Sequence, residues 1–187
     1  NGNLRTGIDQ HGKYNVGGDI NVRQGKINAF ASAMYNQRKS ISNGTTDRLT
    51  LVNDPNTFLL QKDRNISEGY FAFLRGGFDF FIDNRNTLSL SGVYVNGKFK
   101  PESNSDIFVD TLYNSGKTTS FSNRLSNSTG EFKNRGAVIG FKHNFAKAGK
   151  EWTADANFNK SRNENENLVV SNNYTQQGGS LTRSFRQ

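Results

Sequence analysis

The chain contains no cysteine, which removes disulfides, thiolate metal sites and thiol nucleophiles from consideration. Proline is nearly absent, with 2 residues among 187, while glycine is plentiful at 19, a balance that suits strands and turns. Long hydrophobic runs are missing as well. Hydrophobic residues make up only 33% and the mean hydropathy is -0.76. No stretch approaches the roughly 18 apolar residues of a spanning helix, so a helical membrane protein is excluded. Membrane-spanning strands escape that test, because only every second side chain must face lipid. Histidine is scarce too. His11 and His143 lie far apart, and His143 shares a strand face with Phe141 and Phe145, where a packed or interfacial ring is the better reading than a metal ligand. No Ser/His/Asp arrangement with a recognisable context occurs, and Gly17-Gly18 and Gly76-Gly77 sit inside strand patterns ahead of no helix, so they are bends and not phosphate cradles. The chain reads as non-enzymatic and without a cofactor. It opens on polar Asn1-Gly2-Asn3-Leu4-Arg5 and shows no signal peptide. For an exported protein, the export signal has been removed or lies upstream.

Charge of one sign is in excess, with a formal net charge of +8. Lys and Arg are nevertheless scattered, concentrated at turns and loops, and form no basic run of the kind that nucleic acid requires. The chain is therefore read as having no nucleic-acid partner. A basic loop set equally suits the anionic outer surface of a bacterial membrane.

What the chain does have is alternation. In 87–96, Leu88, Leu90, Gly92 and Tyr94 fall on one face and Thr87, Ser89 and Ser91 on the other, the period-two pattern of a strand with one apolar face. Three hairpins follow from this pattern, at about 13–37, 69–96 and 135–160. Their turns are Gln24-Gly25-Lys26, Asp83-Asn84-Arg85-Asn86 and a segment around Ala148-Gly149-Lys150. In the first, Tyr14, Val16, Gly18, Ile20 and Val22 oppose Asn15, Gly17, Asp19, Asn21 and Arg23. Its second arm is ambiguous, with Ile27, Ala29, Ala31, Ala33 and Tyr35 on one side and Phe30 and Met34 on the other. The arm at 69–82 is apolar on both sides. In the third hairpin Ile139 and Phe141 oppose Gly140 and Lys142, and Trp152, Ala154, Ala156 and Phe158 oppose Thr153, Asp155, Asn157 and Asn159.

Long polar segments at about 38–68, 97–134 and 161–180 separate the hairpins and read as loops. They hold short strand-like pieces at Arg48-Leu49-Thr50-Leu51-Val52, Ile107-Phe108-Val109-Asp110 and Leu168-Val169-Val170, and the first two leave open that strands extend past the membrane as loop hairpins. Phe80, Phe81, Phe145 and Trp152 flank the short turns, while Tyr14, Tyr35, Tyr70, Tyr94 and Phe158 flank the long loops or strand ends, as two aromatic girdles would. The fold class that follows is all-β, an antiparallel up-and-down meander over 1–187. It forms a partial transmembrane β-barrel with short periplasmic turns and long extracellular loops. Tyr14, Ile20, Val22, Leu88, Leu90, Ile139, Phe141, Trp152 and Phe158 are expected to face lipid. Asp19, Asn21, Arg23, Ser89, Lys142, Asp155 and Asn157 are expected to face the lumen. Among loop residues, Arg48, Asp106, Asp110 and Tyr113 are of the type that touches a ligand, and they are equally ordinary loop residues.

Three stretches carry a family resemblance. They are Gly12-Lys13-Tyr14-Asn15-Val16-Gly17-Gly18-Asp19-Ile20-Asn21-Val22-Arg23-Gln24-Gly25-Lys26-Ile27-Asn28-Ala29-Phe30, then Asn86-Thr87-Leu88-Ser89-Leu90-Ser91-Gly92, then Gly140-Phe141-Lys142-His143-Asn144-Phe145 followed by Gly149-Lys150-Glu151-Trp152-Thr153-Ala154-Asp155. Their order resembles the barrel of TonB-dependent outer-membrane receptors of the Bacteroidetes type. The resemblance implies a location in the cell outer membrane and a parent protein that takes up nutrients. It also implies partners: outer-membrane lipid, the rest of the barrel with its plug domain, and TonB through the parent. Neither plug nor TonB-contacting motif is visible, so the chain is expected to be an excised portion that self-associates through unpaired sheet edges. The rival readings are a soluble β-barrel or sandwich that binds a ligand with its apolar face turned inwards, or a surface adhesin domain.

Overall fold

The computed structural model describes residues 1–51, 55–147, 149–175 and 179–186. Eight strands follow one another: β1 (Gly2–Ile8), β2 (Tyr14–Gln24), β3 (Ile27–Thr50), β4 (Asn56–Phe81), β5 (Asn86–Tyr113), β6 (Gly116–Asn144), β7 (Glu151–Tyr174) and β8 (Leu181–Arg186). Their order in the sheet is their order in the chain, an antiparallel up-and-down meander. No helix occurs among the described residues.

Turn chemistry sets the reversals. Gln24 pairs with Ile27 across a two-residue loop in which Gly25 takes φ 56°, a left-handed conformation open to glycine. At the β4–β5 turn, Asp83 Oδ1 accepts the backbone N–H groups of Arg85 and Asn86, each at 2.8 Å. A short aspartate bonding the backbone two and three residues on stabilises such a turn locally. The turn expected around Ala148 joins β6 to β7; Ala148 itself lies outside the described residues, as do Val52 and Gln187.

As plain loops the long segments need correction; the extension of strands through them, which their short strand-like pieces left open, is what the structure has. Residues 38–68, 97–134 and 161–180 are strand for most of their length, in β3 to β7, except for 52–54 and 176–178, which lie outside the described residues. β5 and β6 run for 28 and 29 residues, well beyond the 9–11 that cross a bilayer. The physical reason is that serine, asparagine, threonine and charged residues interrupt the short apolar pieces, such as Phe58-Leu59-Leu60 and Ile107-Phe108-Val109, on both faces of these extensions. They are joined by side-chain hydrogen bonds that leave no hydropathy period to read.

The chain forms two compact units. Unit 1 comprises Asn1–Arg38, Gly69–Lys98 and Glu131–Glu164. Unit 2 comprises Lys39–Glu68, Phe99–Gly130 and Asn165–Gln187. Unit 2 is knitted by polar cross-strand contacts: Ser105 donates to Asp63 at 2.5 Å, Ser122 to Asn173 at 2.8 Å, and Asn123 to Asn104 and Asp106 at 2.7 Å each. The rings of Phe108, Phe121 and Tyr174 form a ladder with centroids 5.0 and 5.6 Å apart. Phe121, held between the other two, is the one buried hydrophobic residue among those described.

Unit 1 has no second layer. Registers across β1–β3 place Leu4, Thr6 and Ile8 on one face with Tyr14, Val16, Ile20 and Val22, and with Ile27, Ala29, Ala31, Ala33 and Tyr35. That assigns the ambiguous arm of β3: Phe30 and Met34 lie on the polar face, opposite Asn21 and Gly17. Glycine shows how unevenly the faces are filled. A Cβ on Gly77 would meet Leu90 O at 2.5 Å and both Phe30 Cζ and Ser91 Cβ at 2.8 Å, whereas one on neighbouring Gly76 would meet only Phe30 O at 3.6 Å. Gly77→Val should therefore destabilise the sheet by about 1–3 kcal/mol. Gly76→Val should stay within about 0.5 kcal/mol. Urea unfolding of both variants in detergent micelles measures the difference.

Candidate functional site: a two-faced wall

The residues expected to face lipid and lumen all belong to unit 1. Ring and hydrogen-bond contacts carry the face assignment from β3 to β7. On the apolar side, Tyr35 stacks on Tyr70 with centroids 5.7 Å apart, Arg135 lies over Tyr94 at 5.6 Å, and Phe141 meets Trp152 at 5.9 Å. On the polar side, Arg75 lies over Phe30 at 5.4 Å, Asp79 accepts from Asn28 and Ser89, and Lys142 pairs with Glu151 at 2.6 Å. Since side chains alternate along each strand, Tyr14, Ile20, Val22, Leu88, Leu90, Ile139, Phe141, Trp152 and Phe158 share one face. Asp19, Asn21, Arg23, Ser89, Lys142, Asp155 and Asn157 share the other.

Burial runs opposite to that of a water-soluble sheet. On β5, Leu88 and Leu90 are exposed while Thr87, Ser89 and Ser91 are half-buried. Ile139 is 52% exposed and Phe158 65%. Crowding explains the polar side. A Cβ on Gly97 would collide with the Phe132 ring, one on Gly136 would reach Val93 Cγ1 at 3.0 Å, and one on Gly140 would reach Asp155 Oδ1 at 2.7 Å. On the apolar side, Gly76 and Gly92 meet nothing nearer than a backbone oxygen at 3.6 Å. Over β4 to β6, side chains therefore converge on the polar face and spread on the apolar one; on β2 both faces are largely exposed, and a Cβ on apolar-side Gly18 would meet Asn3 O at 2.8 Å.

The polar face is a network with a hollow. Ser89 Oγ donates to Asp79 at 2.7 Å and Asn28 Nδ2 donates to it at 3.2 Å, while Arg23 covers Phe81 at 4.6 Å. The hollow, about 540 Å³, is lined by Phe73, Arg75, Ser91, Val93, Asn134 and Asn157, among others. Asn134 Oδ1 is buried with no hydrogen-bond partner among the described residues, so it offers an acceptor to a donor entering there.

The apolar face is bounded at both ends. At one end Tyr14, Tyr35 and Tyr70 form a row with successive centroids 5.7 Å apart, and beyond it Lys98 binds Glu131 at 2.5 Å. At the other, beside the short turns, Phe141 and Trp152 lie with Phe145, which His143 meets edge-on at 4.6 Å and Lys150 caps at 4.7 Å. Phe81, expected in that girdle, belongs to the polar face instead, under Arg23. From Tyr70 to Phe80 the strand covers ten residue steps, about 33 Å at 3.3 Å each, and a tilt of about 40–45° would bring this to about 23–25 Å of height.

His143 Nδ1 lies 2.7 Å from Asn86 Oδ1, which makes it a structural partner of the β4–β5 turn. Among the described residues no cluster of three metal-ligating side chains occurs. The loop-type candidates do not converge: Asp110 binds Thr119 and Lys117, Asp106 binds Asn123, Tyr113 ends β5, and Arg48 stands on β3. Sequence reasoning missed β1, whose Leu4 and Ile8 extend the apolar face. The only signal was the short alternation Leu4, Thr6, Ile8.

No family model matches this chain, and no curated protein matches it. Among solved structures, the delta-toxin of Clostridium perfringens aligns over 89% of this chain and 99% of its own, at 7% identity and a TM-score of 0.17. A likeness that low carries no argument about either fold or function.

The Asn86 side chain, together with the Arg85 and Asn86 amides, holds the Asp83 carboxyl below its ordinary value of 3.8. A lowered carboxylate pKa contributes order above about pH 4 that is lost as pH falls through the folded value. Amide exchange at Arg85 and Asn86 should therefore accelerate below about pH 4 in the parent. In Asp83→Asn, which keeps an acceptor but cannot titrate, this acceleration beyond the ordinary chemical pH dependence should vanish.

Proposed function

We propose that unit 1 is a stretch of outer-membrane β-barrel wall from a receptor of the TonB-dependent type. The face of Ile20, Leu90, Ile139 and Phe158 lies against lipid, and the face of Asp19, Ser89, Lys142 and Asp155 lies against an aqueous lumen. The observation that carries this reading is the inverted burial of the two faces, with the polar side crowded and the apolar side open. A soluble barrel that holds a ligand needs the reverse, since its apolar side chains must converge inside. The tyrosine row and the phenylalanine–tryptophan end match the spacing of two membrane interfaces.

On this reading the wall contributes a barrier and a lined passage, not a reaction. Lipid covers the apolar face, and the remaining strands and a plug complete the lumen. TonB acts through the whole receptor, which moves nutrients inwards. The hollow beside Arg75 and Asn134 lies on the lumen face, where passing solutes or a plug meet it.

Trp152, the one tryptophan of the chain, is 53% exposed on the apolar face and reports directly on its surroundings. In vesicles containing doxyl-labelled lipids its fluorescence should be quenched, and more strongly by a label near the headgroup than by one near the acyl terminus. Quenching by aqueous iodide alone, with neither lipid label effective, would contradict the proposal.

A further inference from the structure

At its tyrosine end the apolar face of unit 1 gives way to charges that oppose one another. The glycine contacts set the register of β6 against both neighbours. Towards β7, Gly140 meets Asp155, Gly136 meets Asn159 and Gly130 meets Asn165, one constant offset. Towards β5, Gly136 meets Val93, Gly130 meets Phe99 and Gly97 meets Phe132, again one offset, the same at which Lys98 binds Glu131 and Arg135 lies over Tyr94. Arg135 therefore stands opposite Lys160, and Lys133 opposite Arg162, on the apolar side. Like charges directly opposite in a sheet are destabilising.

The local carboxylates do not cancel them. Glu131 is held by Lys98 at 2.5 Å and reaches Lys133 only at 3.7 Å, while Glu164 binds Arg162. Arg135 has the Tyr94 ring and no carboxylate among the described residues, although its neighbouring strands on both sides are in place. Beside these cations Asn96, opposite Lys133, donates to the Tyr70 hydroxyl at 3.3 Å and keeps its own Oδ1 buried without a partner among the described residues. A buried acceptor left unmade is costly.

We propose that Arg135, Lys133 and Lys160 form a binding site for a phosphate-bearing lipid headgroup that also carries a hydroxyl. The phosphate lies between the opposed cations, with the Arg135 guanidinium presenting parallel N–H donors to two of its oxygens. The hydroxyl donates to Asn96 Oδ1. Position selects a lipid over a soluble phosphate. Lys160 lies eight residue steps beyond Trp152 on β7, about 26 Å along the strand. The cations thus sit where the apolar face ends, and acyl chains below them run along Ile139 and Phe158. This site rests on the wall reading.

The test uses the full chain in maltoside micelles, which carry no phosphate, titrated with short-chain phosphatidylglycerol, whose headgroup has both phosphate and hydroxyl. Saturable binding should weaken about tenfold in Arg135→Gln and in Lys133→Gln, as the loss of one hydrogen bond to a charged group does. Lys147→Gln, beyond the end of β6 at the short turn, should bind as the parent does. Urea unfolding reads the repulsion. Without lipid, Lys160→Gln should unfold at a higher urea concentration than the parent, and saturating phosphatidylglycerol should reverse that order. Phosphatidylmethanol, which lacks the hydroxyl, should bind the parent more weakly than phosphatidylglycerol, and Asn96→Ala should remove the difference. Binding that survives both charge variants would overturn the proposal. So would glycerol phosphate binding as tightly as the lipid, or Lys160→Gln being the less stable chain in both conditions. Equal binding of phosphatidylmethanol by the parent would overturn the hydroxyl contact. Quenching of Trp152 by doxyl lipids in phosphatidylcholine vesicles separates the two claims. Quenching retained without phosphatidylglycerol binding overturns this site alone, and loss of both overturns the wall as well.

Discussion

Pairing between neighbouring strands holds this molecule together, because almost nothing else does. A single hydrophobic residue, Phe121, is buried among those described, and no large side chain is fully enclosed. In most domains a sheet hides its apolar face against a second layer. Unit 1 has none, so its backbone hydrogen bonds and its cross-strand side-chain pairs carry the structure. Covering a face that includes Leu4, Ile20, Leu74 and Phe158 is left to the surroundings. Each such side chain gains about 1.5–3 kcal/mol when fully removed from water. A sheet whose largest available gain lies outside itself depends on what it is placed in.

The same constraint links the glycines, the charged residues and the aromatics. Side chains crowd the polar side over β4 to β6, so that face accepts glycine beneath Phe30 and Phe132, and Arg23 and Arg75 lie over the Phe81 and Phe30 rings. The spread side has room for branched and aromatic residues, and its tyrosines and tryptophan collect at the two ends where an apolar surface meets water. Surface ion pairs such as Lys98–Glu131 contribute little energy, about 0–1 kcal/mol each. Their position, next to the tyrosine row, marks where the apolar face stops.

Much of unit 1 was legible in the sequence because a one-sided strand writes its face directly into a period of two. Leu88 to Tyr94 and Trp152 to Phe158 are the clearest examples. Where both faces carry large side chains, as at Ile27–Tyr35, the sequence left the choice open until pairing with Val16, Ile20 and Val22 settled it. Unit 2 was legible only in its short strand-like pieces, for a different reason. Its strands are joined by serine, asparagine and aspartate contacts such as Ser105–Asp63, which look like loop composition when read one residue at a time. Phe81 was misplaced in the girdle because proximity to a turn says nothing about which face a residue takes. The hollow beside Asn134 was hidden too, since it depends on which polar residues three neighbouring strands bring to one level.

The central claim is that the apolar face is made for lipid and not for a protein core. Far-UV circular dichroism with size-exclusion chromatography, in buffer and then in detergent micelles, tests it most directly. Ordered β-structure in micelles together with aggregation in buffer is the result that the two-faced wall requires. A compact monomer in buffer that unfolds cooperatively would contradict it, because such a molecule must have found a core of its own.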